Sequence, residues 1–163
     1  PHIQVDPRRI LEVARALSAR LQQIDPGNNA AYQGLLHDFT TRWEASMQRW
    51  QTAGAGLQGK RAVVHHRAWV YLLDWLDMQR VGSLEPKPGI PPNMAHLADL
   101  KKQQADLIVV SPANDTKPSA WLQEQTGTPV AVLPHTVGAV PNSDDLFGFF
   151  DEIIRRLSEA VKT

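Results

Sequence analysis

Apolar positions along this chain change period near residue 60, and that change organises the reading. From Pro7 to Ile24 the apolar residues Ile10, Leu11, Val13, Ala14, Leu17 and Leu21 recur at steps of three and four, the spacing of one helix face. Asp6 suits the N-cap and Pro7 the first helical position. Asp25-Pro26-Gly27-Asn28 then breaks the pattern. A second, longer helix is expected over about 29–51. Its stripe of Tyr32, Leu35, Leu36, Phe39, Trp43, Met47 and Trp50 must be covered by other elements. Gly34 is its one interior weak point, and Gly54-Ala55-Gly56 ends it.

Beyond Lys60 short apolar runs alternate with helical ones. Strands are expected at Arg61–His65, Val81–Glu85, Asp106–Val110 and Pro129–Leu133. Helices are expected at Ala68–Gln79, from the cap Asn93 to about Gln104, at Thr116–Thr126 with Gly127 as its stop, and from the cap Ser143 to about Val161. Pro86 to Pro92 reads as a stiff extended loop. Strand–helix alternation implies an α/β fold: a four-stranded parallel sheet with helices on both faces, preceded by a helix and a long second helix.

Composition narrows the function classes. The 163 residues carry 17 basic and 17 acidic side chains, which gives no reason to expect nucleic acid or an anionic membrane as partner. There are no cysteines, so thiolate metal sites and disulfides are excluded. No apolar run is long enough to span a bilayer.

The histidines carry the candidate chemistry. His66 and His135 stand just after expected parallel strands, where open α/β sheets place their ligands. His2 precedes the first helix. Imidazoles converging at such a crevice suit a borderline metal, zinc first of all. His65 is adjacent to His66, and strand alternation sends the two to opposite faces. His37 and His96 read as helix histidines rather than ligands. Glu85 is the one carboxylate near the same sheet end that could act as a base. Three readings stand at this point: metal capture, a zinc-dependent hydrolase built on three histidines, and a metal-free α/β interaction module.

Four segments in order add a resemblance. They are Pro1-His2-Ile3-Gln4-Val5-Asp6-Pro7, Asp25-Pro26-Gly27-Asn28 before the long helix, His66-Arg67-Ala68-Trp69-Val70-Tyr71-Leu72, and Leu133-Pro134-His135-Thr136. Together they resemble the zinc/manganese solute-binding proteins of bacterial ABC importers, the ZnuA-like or cluster A-I family. Arg67 stands where the family has Asp, and His135 where it usually has Asp. The resemblance implies metal ligands at His2, His66 and His135, with a further histidine on an N-terminal lobe that this chain lacks. It implies that residues 1–26 are the tail of that lobe, 27–57 the inter-lobe helix and 58–163 the C-terminal α/β lobe. Family members that bind manganese tend to carry carboxylates at the third and fourth ligand positions. Imidazoles there favour zinc, with copper as the competing ion and manganese less suited. The implied partner is the membrane permease of an ABC importer, and the implied location is the periplasm, or the cell exterior on a lipid anchor. The chain opens inside a motif, so its natural N-terminus is expected to lie upstream. The first helix is expected to expose an apolar face, which favours self-association.

Overall fold

The computed structural model describes residues 2–162, so Pro1 of the first motif lies outside them. Helix α1 (Pro7–Ile24) starts where the cap chemistry places it: the Asp6 carboxylate accepts from the Arg8 N–H. Asp25 and Pro26 end it. Helix α2 (Asn29–Ala53) folds back along α1. The side chains of Gln22 and Gln33 meet near the turn, and the Trp43 indole N–H reaches the Pro7 carbonyl at the far end. The pair is thus an antiparallel helical hairpin. Helix α2 runs unbroken through Gly34.

Among the described residues the sheet has four parallel strands in the order β2-β1-β3-β4: β1 (Arg61–Val64), β2 (Gln79–Ser83), β3 (Leu107–Val110) and β4 (Val130–Val132). The connecting helices are α3 (Val70–Trp75), α4 (Met94–Lys101) and α5 (Lys117–Thr126), and α6 (Leu146–Ala160) follows β4. Successive strand residues face opposite ways, and the two cores show it. Ala62, Val64, Leu107 and Val109 pack with α2, α3 and α6 through Trp43, Trp50, Leu72, Leu73, Phe150 and Ile153. Val63, Ile108 and Val110 pack with Leu97 and Leu100 of α4 and Leu122 of α5. Both faces of β1 and β3 are therefore covered, as their uninterrupted apolar runs require.

The hairpin is joined to the α/β lobe by aromatic packing. Trp43 lies 5.1 Å from both Trp50 and Phe147, and Trp50 lies 5.0 Å from Phe150. Edge-to-face and tilted pairs of this kind add to simple burial. The Trp50 N–H is satisfied by Asp151 at 2.6 Å.

Several boundaries differ from the sequence reading. The helix expected over Ala68–Gln79 is a 3-10 turn (Arg67–Trp69) followed by the short α3. It stops because Asp77 turns into the left-handed region, at φ 53°. The Asp77 carbonyl then accepts from Gly59, and the Gln79 N–H donates to Lys60. Gln79 thereby becomes the first residue of β2, which ends at Ser83 rather than Glu85. Helix α4 stops at Lys101, and Gln104 beyond it is also left-handed. The cap of α6 is Asp145, which accepts from the Gly148 N–H at 2.8 Å. Ser143 is buried instead in the preceding turn, bonded to the Val140 carbonyl.

Candidate metal centre

Strand ends build the site. His66 follows β1, and His135 follows β4 by way of Leu133 and Pro134. His2 heads a 3-10 turn (Ile3–Val5) that leads into α1. All three line one cavity of about 470 Å³ at the C-terminal edge of the sheet, together with Trp69, Ser111 and Asn114 among others. The His2 and His66 rings lie edge to face with centroids 6.0 Å apart. His2 and His135 are exposed and His66 is half-buried. Among the described residues no three His, Asp or Glu side chains are assembled at metal-holding distance. The histidines share a cavity without being drawn together on one point.

His66 is hydrogen-bonded to Glu85. The register of β1 and β2 pairs Val64 with Ser83, which puts the residues two beyond each of them side by side. His66 Nδ1 lies 2.7 Å from Glu85 Oε2. Burial would raise the Glu85 carboxyl, but the His66 hydrogen bond and the Gly89 N–H hold it below the ordinary carboxylate value. An ionised carboxylate only accepts, so His66 Nδ1 carries the proton. In the neutral imidazole Nε2 then keeps its lone pair, the arrangement a metal-ligating histidine needs. Sequence reasoning named Glu85 as a possible base and missed this role. The signal was present: both residues lie just past neighbouring parallel strands.

His65 takes the other side. It is buried and lines a separate cavity of about 210 Å³ with Glu85, Pro91 and Asp115. Its Nε2 is 3.8 Å from the other Glu85 oxygen. Desolvation lowers its pKa, against the pull of Glu85 and Asp115. The alternation argument thus separates the two neighbours correctly. His96 Nε2 bonds the Ser83 carbonyl at 2.8 Å, and His37 is exposed on α2. Neither lines the cavity that His2, His66 and His135 share. Asn114 is a further lining residue the sequence did not single out. Its Oδ1 accepts from the Ser111 N–H at 2.7 Å and from the Ser111 hydroxyl at 3.0 Å. That fixes the amide so that its nitrogen faces away from Ser111.

Comparison with known proteins agrees with this architecture. The family model described as zinc-uptake complex component A, periplasmic (ZnuA), matches residues 1–160. A crystal structure of ZnuA superposes with a TM-score of 0.83 at 19% identity, covering 98% of this chain and 59% of that one. FpvC of Pseudomonas aeruginosa in complex with Mn2+ gives 0.78 at 19% identity, covering 99% and 61%. A Zn(II)-bound variant of AdcAII of Streptococcus pneumoniae gives 0.76 at 20% identity, covering 99% and 61%. This chain therefore spans only 59 to 61% of the length of these three proteins. No match is found among curated proteins. With the family model matching residues 1–160 of its 163, the chain belongs to the ZnuA family.

Proposed function

We propose that this chain captures zinc outside the cytoplasm, through His2, His66 and His135, for delivery to the permease of an ABC importer. The observation that carries the reading is the shared cavity, with one of its imidazoles hydrogen-bonded through Nδ1 to the half-buried Glu85 carboxylate. Three neutral nitrogens favour zinc over manganese, which prefers oxygen donors. Structures of family relatives hold zinc, manganese or nickel, so the ligand set of this chain is the argument for zinc here. A hydrolytic role would need a free base beside the metal. The candidate, Glu85, is engaged by His66 and the Gly89 N–H.

The domain reading belongs to the same proposal. The apolar groove between α1 and α2 holds about 350 Å³, lined by Val13, Leu17, Leu21, Leu35 and Phe39 among others. It would seat a second lobe supplying a further ligand. On this reading residues 1–26 are the tail of that second lobe, 27–57 the helix between lobes and 58–163 the C-terminal α/β lobe. Left uncovered, the same groove favours self-association. Calorimetric titration with zinc tests the capture reading, using the His66→Ala and His135→Ala variants as controls. Binding that both variants abolish supports it; binding that neither alters ends it.

A further inference from the structure

The first ligand is tied to the segment that carries the second. His2 heads the 3-10 turn Ile3–Val5, and Asp6 closes that turn through its N–H to the Ile3 carbonyl. The Asp6 carboxylate is fully buried. It accepts from the Arg8 backbone N–H at 2.9 Å, from Arg8 Nε at 3.0 and 3.2 Å, and from Arg8 Nη2 at 2.9 Å. The same Nη2 reaches Asp74 of α3 at 2.8 Å. Helix α3 and the 3-10 turn before it form the run that starts immediately after His66. Val5 is buried in the main core, and the Trp43 indole N–H holds the Pro7 carbonyl at 2.8 Å. The arm bearing His2 is thus fastened at three points to elements of the α/β lobe and to α2.

We propose that Asp6 and Arg8 are positioning residues for His2, tying the arm that bears it to α3 and so to His66. The proposal rests on the reading of His2 and His66 as metal ligands. A buried carboxylate with a bidentate guanidinium partner has fixed geometry, and a hydrogen-bonded turn removes the ordering cost an unanchored segment would carry. Asp6 serves two structures at once, closing the turn before it and capping the helix after it. Release of the Arg8 side chain frees the arm while the backbone cap of α1 remains.

Two measurements on the full chain test this. The first needs no metal: heteronuclear 15N relaxation of residues 3–5. These amides should be as ordered as those of the sheet, and Arg8→Met should loosen them while core amides stay unchanged. The second is zinc titration. Arg8→Met should weaken binding by about tenfold, the scale on which outer-shell partners act. The loss should vanish in the His2→Ala background. Asp74→Ala, at an exposed position that leaves the core untouched, should shift affinity in the same direction by less, and it covers the case in which Arg8→Met fails to fold. A mobile arm in the unaltered chain overturns the proposal, and so does a loss of affinity that is the same with and without His2. An ordered arm that Arg8→Met loosens, in a chain that binds no zinc, overturns the metal reading and leaves the tether standing.

Discussion

The helical hairpin and the α/β lobe carry equally regular apolar stripes, yet they meet different fates. In the lobe the central strands are covered: β1 and β3 are enclosed by helices on both faces. In the hairpin the stripe divides. Trp43 and Trp50 of α2 are buried against α6, while Leu35 on the same helix is 67% exposed and Leu17 on α1 57% exposed. Periodicity reports that a face is apolar, not what covers it. One helix can therefore be a core element along half its length and an open groove along the other half.

Substitutions along α2 should expose this division most strongly. Trp43→Ala removes a fully buried indole and its bond to the Pro7 carbonyl, and should destabilise the fold by about 3–5 kcal/mol. Leu35→Ala should change stability by no more than about 0.5 kcal/mol. Chemical denaturation measures both. Equal losses would mean that the groove is covered in solution.

At the sheet edge, Glu85→Ala should weaken zinc binding by about 10–100-fold, because His66 then loses the partner that sets its tautomer. Glu85 also has a pH signature. Its folded pKa is held below the ordinary value. The stability it contributes is therefore present above the unfolded carboxylate pKa and is lost as pH falls through the lower folded one. Glu85→Gln should flatten the acid limb of a stability–pH profile. Zinc binding itself should weaken with acidity, since protons compete for the imidazole nitrogens. The smallest effect is expected at the groove: Leu17→Gln should leave the unfolding midpoint nearly unchanged while reducing any self-association seen by sedimentation.

Much of this was legible in the chain. The bounds of α1 follow from Asp6, Pro7 and the Asp25-Pro26 break, and the structure keeps them. His65 and His66 were separable because strand alternation is a geometric rule. What escaped were features set by partners distant in sequence. The early end of α3 depends on Asp77 turning left-handed so that its carbonyl meets Gly59. Ser143 looks like a helix cap, but it closes its own turn while Asp145 does the capping. The bond from His66 to Glu85 depends on the β1–β2 register, which one strand alone does not disclose. The anchoring of His2 depends on Asp74 and Trp43, far along the chain.

The central claim is that His2, His66 and His135 act together on one metal ion. Zinc titration by calorimetry at neutral pH, on the unaltered chain and on the three single alanine variants, tests it most directly. The account predicts one zinc per chain, with binding weakened in every variant and most severely in His66→Ala, where the imidazole oriented by Glu85 is lost. Unchanged one-to-one binding in His66→Ala and His135→Ala would place the metal elsewhere and contradict the account.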